Sequence, residues 1–267
     1  MASTRSEEDE EDIPLSNFSI IIPSLNEQDN LHVMLPEVQL ALRDIEARIE
    51  VVVVIGRNED PNSYPQDLGV GYRYVRRDPS DSFGDAIRAG IASSDPNSEF
   101  VIFMDADGSH SPRSLVKLIN APEQEDVVVA SRYTRGGSTE NSYLLRFMSR
   151  VLNFAYRVVL GIPCNDISTN FKRYRRADLA QLDLTCNNFD IVEEILFRIK
   201  SLRGKDFRVL ELPDHFAERR HGVSKRRLGP YIISYLVTLA TLRRKVAQGK
   251  KASVLRKGVT PSNDQVT

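Results

Sequence analysis

The 267-residue chain has two cysteines, Cys164 and Cys186, too few and too far apart for a disulfide framework or a zinc knuckle. Free thiols in a reducing compartment are expected. No run of eighteen apolar residues occurs, so no transmembrane helix is expected. The N-terminus is acidic and has no apolar stretch, so no secretory leader is expected, and the expected location is the cytoplasm or the cytoplasmic face of a membrane. The turn after the first apolar run has no glycine-rich phosphate loop, which argues against a sugar nucleotidyltransferase. A net charge of −1 gives no reason to expect a nucleic-acid partner.

Hydrophobic residues make up 41% and charged residues 27%, which suits a globular protein with an ample core. The charge is unevenly distributed. Residues 1–12 carry six acids against Arg5, whereas twelve Lys or Arg and no acid lie between Arg219 and Lys257. Such ends point to different partners. We therefore expect a disordered acidic tail over 1–16, a catalytic domain over 17–228, an amphipathic helix over 229–247 and a basic, polar tail over 248–267. The apolar part of Tyr231–Lys245 is too short to span a bilayer. It fits either an interfacial helix on a membrane face or a helix docked on the core.

Hydrophobic periodicity predicts strands at Phe18–Ile22, Val51–Ile55, Tyr72–Val75, Phe100–Met104, Val127–Ala130 and Arg208–Leu212. Helices are expected from Asn30 to about Ala47, with Pro36 near the start, and over Phe83–Ala92, Leu115–Asn120, Tyr143–Leu160 and Phe189–Arg203. This alternation implies an α/β fold with a mainly parallel sheet covered on both faces. Ligands of such sheets sit beyond the carboxyl ends of the strands, where Asn26, Glu27, Asp60 and Asp105 fall.

The segment Met104-Asp105-Ala106-Asp107-Gly108-Ser109-His110 ends a buried strand with two carboxylates. Two readings stand. Asp-x-Asp at a strand end is either a helix cap plus a solvated acid, or the oxygen donors of a divalent cation shared with a diphosphate.

Six segments, in order, resemble the family 2 glycosyltransferases of GT-A fold, and among them the polyprenol-phosphate (dolichol-phosphate) mannose synthases. They are Ile22–Glu27, Gly84–Gly90, Asp105–Pro112, Ser131–Tyr133 with Gly136-Gly137, Asp166–Arg176 and Glu218–Lys225. The resemblance implies a Rossmann-like sheet, a nucleotide-sugar donor such as GDP-mannose or UDP-glucose, Mn²⁺ or Mg²⁺, a polyprenyl phosphate acceptor and inversion at the sugar's anomeric carbon. Pro23, Asn26, Glu27, Asp60, Gly84, Arg88, Asp105 and Ala106 are then candidates for the donor, and Asp105, Asp107 and Ser109 for the cation. Arg132, Ser168, Arg173, Arg219 and Lys225 are candidates for the acceptor phosphate. Asp107, Arg132, Arg219 and Glu194 carry the implied catalytic roles. A phosphate acceptor needs positioning rather than a base, whereas a sugar hydroxyl would need a carboxylate, for which Asp190, Glu193 and Glu194 are candidates. His110 and His221 are open between an acceptor-facing and a structural role.

Two departures stand out. Ile55-Gly56 occupies the place where the family carries an acid pair that selects the nucleobase, leaving Glu59 or Arg57 as substitutes. Asn170 replaces a family glycine. A soluble glycan or metabolite acceptor, or a nucleotide-sugar binding protein without catalysis, remains as an alternative. Oligomeric state is not legible.

Overall fold

A computed structural model describes residues 16–66, 68, 71–219 and 240–241. In chain order the elements are β1 (Asn17–Pro23), α1 (Gln28–Leu42), β2 (Arg48–Ile55), β3 (Tyr72–Arg76), α2 (Phe83–Ser93), β4 (Phe100–Phe103) and α3 (Pro112–Ile119). They continue with β5 (Val127–Ser131), β6 (Ser138–Thr139), α4 (Tyr143–Leu160), β7 (Lys172–Arg175), α5 (Arg176–Leu179), α6 (Ile191–Arg203), β8 (Val209–Pro213) and β9 (His215–Phe216).

Seven strands form one sheet in the order β3-β2-β1-β4-β7-β5-β8. All pairings are parallel except those of β7, which runs antiparallel to β4 and β5. β6 and β9 form a separate two-stranded ribbon. Alternation along β1 builds two cores. Phe18, Ile20 and Ile22 face α1 and α3 through Leu31, Met34, Leu35, Leu115 and Leu118. Ile21 faces the opposite layer, which holds Ile87, Tyr156, Ile195 and Leu196. Each fully buried aliphatic side chain contributes about 1.5–3 kcal/mol. The chain adds β2 and β3 on one side of β1 and then crosses to place β4 on the other, and the carboxyl ends of the parallel β1 and β4 open a crevice at this switch point.

The expected elements are present with shifted ends. α1 begins at Gln28 and stops at Leu42, and Pro36 lies inside it on the solvent side rather than near its start. β7 was not legible, because Lys172-Arg173-Tyr174-Arg175 has no apolar run. Its cations are buried through backbone carbonyls. Lys172 Nζ donates to Ile167 and Thr169, and Arg173 donates to Leu118, Ile119, Ala121 and Pro122 at the end of α3. A cation at a helix C-terminus also meets a favourable dipole. Among the described residues no helix is long and apolar enough to cross a membrane. The acidic tail to residue 15, Lys225, His221, the basic tail and all but two residues of the expected helix over 229–247 lie outside the described residues.

Candidate active site

Three segments meet at the mouth of the β1/β4 crevice. The first leaves β1 at Pro23, where Ser24 N–H still bonds to Val54 of β2. Asn26 takes a left-handed backbone (φ 52°), which asparagine tolerates better than most residues. This turn delivers Glu27 to the start of α1. One Glu27 oxygen accepts from Asn30 Nδ2 at 2.5 Å and the other from Arg219 Nη1 at 2.9 Å.

The second segment leaves β4. Asp105 accepts from Asn170 Nδ2 at 3.0 Å, and its backbone N–H donates to His110 Nδ1 at 3.2 Å. The His110 ring is buried, stacked on Phe171 at 4.5 Å and met edge-on by Phe216 at 5.5 Å. It therefore shapes the loop from inside. Ala106 is buried between the two acids. Asp107 Oδ1 accepts from the Ser109 N–H at 3.1 Å and hydroxyl at 2.5 Å, and Oδ2 lies 3.0 Å from Arg219 Nη2. Burial pushes the Asp107 carboxyl up. The Ser109 hydroxyl and the nearby His110 and Arg219 outweigh it and hold the group below the usual carboxylate range.

The third segment carries Arg219. β9 pairs with β6, Ala217 N–H donates to the Ser109 carbonyl, and Glu218 N–H donates to Glu140 at 2.6 Å. The backbone is thus pinned over the Asp107 loop, and one guanidinium bridges Glu27 and Asp107.

Asp105, Asp107 and Ser109 offer hard oxygen donors of the kind Mg²⁺ or Mn²⁺ takes. Among the described residues no group of three or more His, Cys, Asp or Glu could cage an ion. The donor set therefore fits a cation that completes its shell with diphosphate and water rather than a closed protein site.

On the opposite side lies Arg132, at the end of β5. Its Nε and Nη2 bind both oxygens of buried Asp166 at 2.8 and 2.7 Å, and Nη2 also donates to Ser168 Oγ at 3.0 Å. Burial alone would raise the Asp166 carboxyl; the Arg132 charge and hydrogen bonds outweigh it and lower it. Ser168 in turn exchanges hydrogen bonds with Asn153 of α4. The Tyr133 ring has Arg132 and Arg150 over it at 5.1 and 5.4 Å, tying α4 to this corner a second time.

α4 leaves a row of large apolar side chains in solvent: Tyr143, Leu144, Phe147, Val151, Phe154 and Val158, with Tyr143 79% and Phe154 67% exposed. At the helical period they span an arc of about 100°, with Arg146, Arg150 and Arg157 along one flank.

Several expected site residues lie elsewhere. Arg173 is 1% exposed and committed to the carbonyls after α3 and the Phe100 ring, so it is not an acceptor-phosphate ligand. Gly84 and Arg88 hold the Cys186-Asn187 turn instead of a donor. Gly84 N–H bonds to Asn187, a Cβ there would press on the Cys186 carbonyl, and Arg88 donates to Cys186 and Asn187. Glu194 is fully buried. It accepts from the Thr185 and Cys186 N–H groups, the Thr185 hydroxyl and Arg198. Burial raises its carboxyl but these donors bring it below its ordinary value, and its oxygens are committed to the preceding loop and to Arg198. Asp60 is exposed and caps the short turn at Pro61. Glu59 instead reaches the β1 turn, accepting from Asn26 N–H, Gln28, Tyr64 and Gly56 N–H. A Cβ at Gly56 would lie 2.6 Å from that carboxylate, so the glycine makes room for Glu59. Asp166 and Asn170 escaped the sequence reading as partners of Arg132 and Asp105. Only their membership of the Asp166–Arg176 segment signalled them.

Comparison with known proteins agrees with this architecture. The chain is 29% identical to polyprenol monophosphomannose synthase of Mycolicibacterium smegmatis over 226 residues, covering 79% of this chain and 82% of that one. It is 31% identical to undecaprenyl-phosphate mannosyltransferase of Micrococcus luteus, covering 77% and 85%. Against dolichol-phosphate mannosyltransferase of Pyrococcus furiosus the identity is 29%, over 82% of this chain and 61% of the relative. The fold is that of glucosyl-3-phosphoglycerate synthase from Mycobacterium tuberculosis, solved with Mn²⁺, UDP and glucosyl-3-phosphoglycerate. The TM-score is 0.62 at 18% identity, over 85% and 80% of the two chains. Residues 19–183 match the model of glycosyl transferase family 2, and the chain belongs to that family.

Proposed function

We propose that this glycosyltransferase moves a hexose, with inversion, from a nucleoside diphosphate sugar to a polyprenyl phosphate at a membrane surface. The observation that carries the reading is the exposed apolar face of α4, joined through Asn153 and Tyr133 to the Arg132–Ser168 corner. An apolar arc flanked by arginines suits the interface of an anionic bilayer, with the aromatic rings immersed and the guanidinium groups among headgroups. A prenyl chain in that bilayer would present its phosphate beside Arg132 and Ser168. The relatives' names, all of them polyprenol-type phosphate mannosyltransferases, support the same acceptor class.

Asp105, Asp107 and Ser109 would hold a divalent cation, which when bound supplies Lewis-acid neutralisation of the departing diphosphate. Pro23, Asn26 and Glu27 shape the donor side of the crevice. Arg132, Ser168 and, outside the described residues, Lys225 would draw in the acceptor phosphate, and Arg219, seated between Glu27 and Asp107, would meet the donor diphosphate, so that cations offset the like charge of the two anions. The nucleophile is already an anion, so the reaction does not need Glu194 as a base. The test is incubation of the full chain with Mn²⁺, GDP-mannose or UDP-glucose and a short-chain polyprenyl phosphate. Hexosyl phosphoprenol is expected from one of the donors, and no product from any common donor overturns the reading.

A further inference from the structure

Arg219 is 26% exposed and spans two carboxylates that come from different strand ends, Glu27 after β1 and Asp107 after β4. Asp107 is one of the two acids suited to a divalent cation, and its Oδ2 is taken by the guanidinium at 3.0 Å. Its other oxygen already accepts two hydrogen bonds from Ser109. A cation approaching Asp107 therefore meets a positive charge seated on the free edge of its ligand. Two like charges at about 4 Å repel by several kcal/mol at the effective dielectric of a protein surface. They cannot share that carboxylate oxygen at low cost.

We infer that Arg219 is the resident counter-cation of the donor site, and that it makes the ion and the nucleoside diphosphate bind as a unit. This rests on the nucleotide-sugar reading above and adds to it an order of events. Without a diphosphate, the guanidinium neutralises Glu27 and Asp107 and keeps the ion out. When the diphosphate arrives with the ion, its oxygens give the guanidinium a new anionic partner, and Asp107 is released to the ion. The backbone need not move. Ala217 and Glu218 stay hydrogen-bonded to Ser109 and Glu140, and the long side chain alone swings. The coupling is reciprocal: the ion must tighten nucleotide binding by the same factor by which the nucleotide tightens ion binding.

The experiment is a titration of the full chain with Mn²⁺, read by the electron paramagnetic resonance of free Mn²⁺, with and without saturating GDP or UDP. Wild type should bind Mn²⁺ weakly alone and at least about tenfold more tightly with nucleotide. Arg219→Gln should bind Mn²⁺ alone about tenfold more tightly than wild type, while losing most of the nucleotide enhancement. Arg219→Lys, which keeps a charge on a shorter reach, should fall between them. Its intermediate behaviour provides the test if the Gln variant does not fold. An Arg219→Gln protein that binds Mn²⁺ alone no better than wild type, or keeps the full enhancement, overturns the inference while leaving the glycosyltransferase reading intact. Wild type that binds no nucleotide under any metal condition overturns the proposed donor chemistry itself.

Discussion

At the scale of single residues, Asp107 and Glu194 make opposite predictions although both are carboxylates held below their ordinary pKa. Asp107 faces the crevice, with Arg219 as its partner. Asp107→Asn should leave the fold intact and lower kcat/KM by about 10²–10³-fold, the usual cost of deleting one element of transition-state charge stabilisation. Steady-state kinetics alongside a melting curve checks this. Glu194 instead neutralises Arg198 and ties down Thr185 and Cys186. Glu194→Gln should lose about 2–3 kcal/mol of stability, roughly 5–10 °C in Tm for a chain of this size, with kcat of the folded fraction little changed. A collapse of kcat at unchanged Tm would restore Glu194 as a base. The two could not be told apart from sequence, since Glu-Glu at the start of a helix reads the same whether it faces a ligand or its own preceding loop. The Asp105–Asp107 pair was legible because it ends a buried apolar strand. That Asn170 and Arg219 pair with these acids was not, because they come from 65 and more than a hundred residues away.

At the scale of elements, the termini of α2 and the face of α4 carry the argument. Ser82 and Asp85 cap α2 reciprocally: Asp85 N–H donates to the Ser82 hydroxyl, which donates back to the carboxylate. Burial would raise the Asp85 carboxyl, but hydrogen bonds from Ser80, Arg88 and Ser82 bring it down to about 2. The folded value lies below the unfolded value near 4, so the stability it contributes is complete above about pH 4 and is lost as pH falls toward 2. Melts of wild type and Asp85→Asn between pH 5 and 2 should show a difference that shrinks with falling pH; a constant difference contradicts this assignment. One residue earlier, Gly84→Ala would drive a methyl into the Cys186 carbonyl and to 2.7 Å from the Asn187 Cα. The expected cost is about 1–3 kcal/mol, read as a shift of the denaturation midpoint. For α4, Phe147→Glu with Phe154→Glu should abolish flotation with anionic liposomes and leave Tm unchanged, because both rings are already in water. α4 was legible to its last residue from periodicity. That its apolar arc faces outward was not, because a moment points to a face without saying what lies against it.

At the scale of the whole molecule, the alternation of apolar runs made the α/β sheet legible, together with the crevice at the strand ends. The antiparallel β7 and the β6–β9 ribbon escaped. β7 is buried by giving its cations to carbonyls, and the ribbon has two residues per strand. These unseen pieces bring Asn170 and Arg219 to the crevice, so the strand ends were more legible than what packs over them. Acceptor choice is the central claim to test. The direct measurement is a single reaction with labelled donor sugar, Mn²⁺ and the full chain. It offers polyprenyl phosphate in anionic vesicles and a soluble phosphorylated acceptor, 3-phosphoglycerate, at equal concentration. The account predicts label in the lipid phase that disappears in the Asp107→Asn protein. Label that accumulates in the aqueous product while the lipid stays unlabelled would contradict it.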